Sequence, residues 1–412
     1  MIDIKFIREN ASEVTQAAKD KRVDIDITHI LEIDAKQREL SQVVQQLREE
    51  RNKFSKEKNI EEGRKLKDQL EKQEHALKAV EEELHAWLLK IPNPAKQDVK
   101  VGKDESENDV IKKYKEPTKF SFTPKDHLDL GETLDIIDVK RAAKVSGTRF
   151  AYLKNEGVLL EFALIQFALE ILIKEGFTPV VSPVLIKKDV MRGLGYMENG
   201  GGEDMFHIDK DGLVLVGTAE HAIVPMHADE LLQKKDLPKR YVGFSSAFRR
   251  EAGSYGKDTK GILRVHQFDK IEMVSFVAQE NDDKEHDYLL SLEEKLWQVL
   301  DIPYQVIKMC TGDLGFPAAR KYDIEAWIPS QNKYREVTSV STVTDFQSRR
   351  LNIKYQDGGE KKYASVLNGT AFAIGRTIIA ILENYQQEDG SIIIPKVLQR
   401  YIGKEKISSK NL

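Results

Sequence analysis

The sequence predicts an α+β protein, an antiparallel β-sheet domain preceded by an antiparallel two-helix coiled-coil arm. Three observations carry that expectation. Apolar residues between Ile30 and Ile91 fall at alternating spacings of 3 and 4, in two runs separated by a polar break, which is the seam of a coiled coil folded back on itself. Beyond Pro124 the chain turns to short strand-like runs and glycine turns, without the βαβ alternation of a doubly wound parallel sheet. Finally, Phe244 to Val274 reads as two strands joined by a long loop rich in glycine and charge.

Taken in order, residues 1 to about 25 form a helical lead-in with apolar contacts at Ile4, Ile7 and Val14. Ile33, Gln37, Leu40, Val44, Leu47, Arg51 and Phe54 mark the first arm helix. After a break at Lys58, Asn59 and Gly63, the second is marked by Leu66, Leu70, Gln73, Leu77, Val80, Leu84, Trp87 and Ile91. Each arm is roughly 40 Å long at 1.5 Å per residue. Arg48, Arg51, Lys53, Lys56, Lys58 and Arg64 gather toward the turn, a basic tip that could grip a phosphate backbone. A dimerisation coiled coil with solubilising charge would share this pattern. Pro92 and Pro94 end the second helix. The chain is thus read as an N-terminal domain, residues 1–100 with its hairpin at about 28–91, a charged linker, 101–124, and a second domain, 125–412.

In that second domain Val158 to Lys174 is apolar on most faces, so it is expected as a helix buried in a core or a subunit contact. GFTPVVSPV, residues 176–184, follows as an extended strand, and Thr218-Ala219-Glu220 sits among apolar strand residues. A helix at Asp287–Val299 precedes strands at Tyr304–Met309, Tyr322–Ile328 and Tyr334–Ser341. In LNGTAFAIGR, Asn368-Gly369 is expected to turn a strand into a helix whose start favours anions and carries Arg376.

Composition narrows the function classes. Lys and Arg number 64 against 68 Asp and Glu, so any nucleic-acid surface must be local. The N-terminus lacks a signal-length apolar run and no segment is a clean membrane span, so a soluble, cytoplasmic protein with no membrane association is expected. The single cysteine, Cys310, excludes a disulfide framework and fits a reducing compartment. With no HxxxH or HxH spacing among the nine histidines, no structural zinc is expected.

The chemistry centres on residues 244–274. Period-2 alternation from Ile262 to Val274 puts Arg264, His266, Phe268, Lys270 and Glu272 on one face, while Arg249 and Glu251 share a face of the first strand. Cations, an aromatic plate and carboxylates along one wall suit a phosphate, a purine and an ammonium group; a solvated hairpin would also alternate charges. No GxxxxGK-type phosphate loop is present, and GLGYME at 193–198 fails the dinucleotide pattern at Glu198. KISSK at 406–410 faintly resembles the KMSKS signature of class I synthetases, but without a HIGH-type partner it reads as a frayed tail.

MIDIKFIREN, the hairpin arm, IPN, HLDLGE, KVSGTRFAYL, GFTPVVSPV, TAE, FRREAGSYGKDTKGILRVHQFDKIE, KYDIEAWIP, EVTSVSTVTDFQSRR and LNGTAFAIGR, in this order along the chain, resemble the seryl-tRNA synthetases of common bacterial type, class II aminoacyl-tRNA synthetases. The likeness runs nearly end to end. It implies an ATP-dependent ligase that activates L-serine as seryl-adenylate and transfers it to the 3′-terminal adenosine of tRNA(Ser). By the same resemblance Arg249 and Arg376 are catalytic. Arg249 clamps the α-phosphate, Glu251 holds the adenine amine, Phe268 stacks on adenine, and Arg264 and Arg376 meet the terminal phosphates. Glu336 and Ser339 hold Mg²⁺ with ATP. Thr218, Glu220, Arg249, Glu272, Asn368 and Thr370 surround serine. The arm reads tRNA by shape and backbone in a homodimer whose arm serves the other subunit's site, with Val158 to Lys174 as the expected contact. The loop from Glu251 to Gly261 is expected to close over ATP.

Departures from the family pattern are also present. TSVST (338–342) stands for SSCSN, LNGTA for LNGSG, and Arg250 for Ser or Thr. Thr342 and Ala371 put the fine shape of the serine pocket in question. An enzyme loading a carrier protein would lack the long arm. A catalytically altered paralogue, acting as an RNA-binding or scaffolding protein, would lose the arginines that this chain keeps.

Overall fold

The structure, a computed structural model, describes residues 1–56, 60–198, 200–252 and 260–409. The chain divides into two compact units, Met1–Pro94 and Ala95–Leu412.

The first unit contains α1 (Ile4–Glu9), α2 (Ala11–Asp20), α3 (Ile27–Lys56) and α4 (Ile60–Leu88). The heptad positions Ile33, Val44, Leu66, Leu70, Val80 and Leu84 are buried between α3 and α4, while Arg51 is exposed. Arg48 bridges the helices, its Nε and Nη2 donating to Glu74 Oε1 at 3.0 and 2.7 Å. At the other end the buried Asp34 accepts Arg8 and Arg38 at 3.0 and 3.1 Å, tying α1 to the base of the hairpin. Gly63, expected to break the helix, lies within α4, since one helical glycine costs only about 1 kcal/mol. Lys58 and Asn59 lie outside the described residues.

The second unit is built on an eight-stranded sheet. Its strands are β1 (Asp109–Tyr114), β2 (Thr178–Val181), β3 (Lys239–Phe248), β4 (Gln267–Val277), β5 (Tyr304–Lys308), β6 (Arg320–Ile328), β7 (Lys333–Thr342) and β8 (Ser365–Ala373). Their order is β1-β5-β6-β7-β8-β4-β3-β2. Neighbours are antiparallel except β2, which runs parallel to β3. Helices α5 (Glu156–Lys174), α6 (Asp282–Leu300) and α7 (Ile374–Asn384) bury Phe167, Trp297 and Ile378 with Ile271, Met273 and Phe372 of the sheet. The alternate residues Val274 and Phe276 pack with Met191, Val214 and Ile223 in a second cluster. No helix among the described residues is long and apolar enough to cross a membrane.

Several expectations need correction. The segment read as a linker, 101–124, contains β1, paired along β5 from Asp109 opposite Lys308 to Tyr114 opposite Tyr304. Its side chains are mostly exposed, and an edge strand open to water needs no apolar alternation, which is why hydropathy does not reveal it. β4 begins at Gln267 rather than Ile262; Ile262, Leu263 and Val265 are buried in the core instead. Asn368-Gly369 lies within β8, and α7 starts at Ile374. A Cβ on Gly369 would stand 2.8 Å from Glu293 Oε1 on α6, so glycine is required there by close approach rather than by a turn. The tail is not frayed at Lys406–Ile407, which pairs with Ile392–Ile393 and buries Ile407; Lys410 is outside the described residues.

Candidate active site

A cavity of about 410 Å³ is lined by side chains of β3, β4, β6, β7 and β8 and by residues at the starts of two helices. Phe268, Lys270 and Glu272 reach it from alternate positions of β4, as the period of 2 requires. Arg249 and Glu251 enter from just past the end of β3. Arg249 lies with its guanidinium 5.4 Å from the Phe268 ring centre and donates to Gly217 O at 3.3 Å.

Two bulges decide what else arrives. Between β6 and β7 the register slips so that Ile324 opposes Thr338 but Glu325 opposes Glu336, leaving Val337 as the extra residue. That shift brings Glu336 and Ser339, three residues apart, to the same cavity. Between β4 and β8, Ile271 opposes Phe372 and Glu272 opposes Thr370, leaving Ala371 extra. Asn368 and Thr370 therefore line the cavity while Phe372 turns into the core.

One end of the cavity pairs Arg376, in the first turn of α7, with Glu336: Nη1 donates to Glu336 O at 3.0 Å and lies 3.2 Å from Oε2. Desolvation within the cavity pushes the half-exposed Glu336 carboxyl up, but Arg376, Lys321 and Arg249 outweigh it and hold it well below the usual carboxylate range. At the other end Glu272 is buried, with Lys270 Nζ 2.6 Å from its Oε2 and Thr370 Oγ1 donating to the same oxygen at 3.3 Å. Lys270 also donates to Thr218 Oγ1 at 3.3 Å. Glu220 opens a short helix, not a strand. It accepts from Tyr196 OH at 3.0 and 3.2 Å and from Gln347 Nε2 at 2.9 Å. Burial pushes its carboxyl up to about 7, with Glu272 adding to the rise. His221 accepts at Nδ1 from Gly217 N, and burial holds its ring neutral, down to about 3.

Every residue assigned to ATP, serine or metal lines this cavity except Arg264. Arg264 precedes β4, so strand alternation does not govern it; its Nη1 instead meets Glu251 Oε2 at 3.2 Å. His266, placed by alternation on the same wall, packs against Phe150 and Phe206 and pairs its Nδ1 with Arg249 O at 3.0 Å. Of the loop expected to close over ATP, residues 253–259 lie outside the described residues. Its near flank is held by Arg250 N and Ala252 N on Asp204, at 2.8 and 3.0 Å. On the far flank, Ile262 N donates to His127 Nε2 at 3.3 Å, and the ring's Nδ1 faces Glu383 Oε1 at 3.2 Å.

The departures at 340, 342 and 371 do not line the cavity. Thr342 Oγ1 donates to Asp282 on α6 at 2.6 Å. Arg320 Nε donates to His286 Nδ1 at 3.1 Å, so Nε2 carries the proton and donates to Val340 O at 3.2 Å. On the arm, Arg51, Lys53 and Arg64 are exposed and Arg48 is committed to Glu74. Lys56 ends α3 with its side chain outside the description, as is all of Lys58. Sequence reasoning missed Tyr196 and Gln347, which only long-range packing brings to Glu220, and gave Lys270 a face but no role.

An antiparallel sheet carrying an Arg, Glu and Phe wall opposite a strand-to-helix Arg defines a class II aminoacyl-tRNA synthetase core. Residues 205–385 match the tRNA synthetase class II core domain (G, H, P, S and T), and residues 1–95 match the seryl-tRNA synthetase N-terminal domain. The chain is 45% identical to a serine--tRNA ligase of Dictyoglomus turgidum and 46% identical to one of Thermosipho africanus, in each case over 100% of both chains. Among solved structures, seryl-tRNA synthetase from Pyrococcus horikoshii complexed with ATP superposes with a TM-score of 0.92 at 40% identity, over 99% of this chain and 100% of that one. The chain belongs to the seryl-tRNA synthetase family.

Proposed function

We propose that this chain activates L-serine with ATP, forming seryl-adenylate, and transfers the serine to the 3′-terminal adenosine of tRNA(Ser). The observation that carries the reading is a single cavity in which Arg249, Glu251, Phe268 and Arg376 stand beside Thr218, Glu220, Glu272, Asn368 and Thr370. The full-length relatives named above support it.

In this reading adenine stacks on Phe268 with its amine on Glu251, Arg249 neutralises the α-phosphate, and Arg376 and Arg264 meet the terminal phosphates. The serine carboxylate, already ionised at neutral pH, attacks the α-phosphorus in line and needs no general base. Catalysis then rests on positioning and on charge neutralised on the attacking and leaving sides. The serine ammonium and hydroxyl meet Glu272 and Thr218, with Asn368 and Thr370 close by. A pocket that hydrogen-bonds the hydroxyl rejects alanine by about 10⁴, whereas threonine is refused for want of room. The half-exposed, ionised carboxylate of Glu336 and the hydroxyl of Ser339 are hard oxygen donors and fit Mg²⁺ arriving with ATP. Among the described residues no three His, Cys, Asp or Glu side chains converge on a metal position, so phosphate and water would complete the coordination. Bound there, Mg²⁺ would add charge neutralisation on the phosphates.

The arm's exposed Arg51, Lys53 and Arg64 suit the backbone of tRNA(Ser), with Lys56 and Lys58 further along the same run. The exposed Leu159, Phe162 and Ile173 of α5 and Val181 of β2 support a homodimer, and the lone cysteine supports a cytoplasmic setting. The test is ATP/pyrophosphate exchange with each amino acid in turn: exchange dependent on serine is expected, and a folded, Mg²⁺-supplied sample without it would overturn the reading.

A further inference from the structure

The amino-acid end of the cavity holds a cation that none of these roles uses. Lys270 precedes Glu272 by two residues on the same face of β4 and is only 7% exposed. Taking an ammonium out of water costs several kcal/mol, a cost offset only by close partners. Here the partners are Glu272 Oε2 at 2.6 Å and Thr218 Oγ1 at 3.3 Å, both on the cavity wall. An ammonium has three donors, and these contacts occupy two. Thr370 fills the remaining approach to the same carboxylate oxygen at 3.3 Å. Glu272 therefore offers a ligand its Oε1 side, and offers it as half of a neutral pair.

That neutrality has a consequence for recognition. A lone buried carboxylate attracts any small amine, whether or not the amine carries a carboxylate of its own. A Lys–Glu pair attracts a bare cation weakly, but an amino-acid zwitterion can place its ammonium at Glu272 and its carboxylate toward Lys270 and Arg249. Nearby Glu220, hydrogen-bonded by Tyr196 and Gln347, does not restore a full negative charge, since burial holds its proton to about pH 7.

We propose that Lys270 is a specificity-determining residue: by pairing with Glu272 and donating to Thr218, it makes the site accept the serine zwitterion and refuse the corresponding cationic amine. The inference rests on the serine-activation reading given above. The negative element is the repulsion of a bare cation, and the attractive one is the zwitterion's own carboxylate.

The experiment measures binding of L-serine and of serinamide, a cationic probe of the same shape, to the full chain and to Lys270→Met and Lys270→Arg, by calorimetry. ATP binding serves as the control for an intact site. In Lys270→Met the ratio of serine to serinamide affinity is expected to fall by about 10² (2.7 kcal/mol at 1.36 kcal/mol per tenfold), with serinamide unchanged or tighter; Lys270→Arg should keep the ratio within about threefold. Equal loss of both ligands with ATP binding intact, or an unchanged ratio, would overturn the proposal. Should Lys270→Met fail to bind ATP, Lys270→Gln is read by the same ratio. A parent chain that binds ATP but not serine overturns the functional reading instead.

Discussion

The arm and the sheet use charge in opposite ways. On the arm the fold is decided by an apolar seam, and its helix-to-helix ion pair, Arg48 with Glu74, sits at the surface with both side chains about half exposed. In the second unit the pairs Lys270 with Glu272, two residues apart on one face of β4, and Arg376 of α7 with Glu336 of β7 line a cavity. A surface pair on a coiled coil can be lost with little effect, because the seam still specifies the structure. The buried pair of Lys270 with Glu272 cannot, because its partners are each other's solvent.

The largest effects should therefore fall in the sheet. Arg249→Ala and Arg376→Ala are each expected to lower the exchange rate by about 10²–10³ or more, the loss typical of removing one preorganised charge-stabilising donor. Their thermal unfolding should stay close to the parent's; near-normal exchange in either would remove that residue from the mechanism and blur the contrast.

A smaller effect concerns Glu220. Burial raises its pKa from 4.5 to about 7, so between those pH values the folded chain binds the proton more tightly than the unfolded one. Its contribution to stability is present below about pH 4.5 and is lost as pH rises toward 7. Glu220→Gln removes this loss: relative to the parent, the variant should gain up to about 3 kcal/mol between pH 5 and pH 8. Denaturant melts at the two pH values measure it, and a pH-independent difference would mean that Glu220 is ionised throughout.

The smallest effect is expected on the arm. Arg48→Ala should cost under about 1 kcal/mol, and less at high salt. A cost of several kcal/mol in urea unfolding would show that the arm, too, depends on specific pairs rather than on its seam.

The same contrast governs what could be read from the sequence. Ile33, Val44, Leu70 and Val80 announce the hairpin because a helical seam repeats locally. Phe268 and Glu272 were legible as one face because β4 alternates without interruption between them. Alternation could not pair Glu336 with Ser339, which reach one cavity across the bulge at Val337, nor explain Ala371, a bulge residue as well. It also misplaced Arg264 and His266, which lie outside the strand whose period was applied to them. The strand at Asp109–Tyr114 was missed because both of its faces meet water. The partners of Glu220 come from Tyr196 and Gln347, far apart in the chain, and no local pattern links them. Family resemblance supplied the candidate roles; the bulges supply the physical reason those residues can act together.

The central claim is a division of labour, with adenylation confined to the sheet and tRNA capture to the arm. The most direct test is to delete residues 35–85 with a short turn in their place and measure serine-dependent pyrophosphate exchange and tRNA(Ser) charging on the same preparation. Exchange near the parent rate with charging lost is the predicted result; charging retained, or exchange lost from a sheet domain that still melts cooperatively, would contradict it.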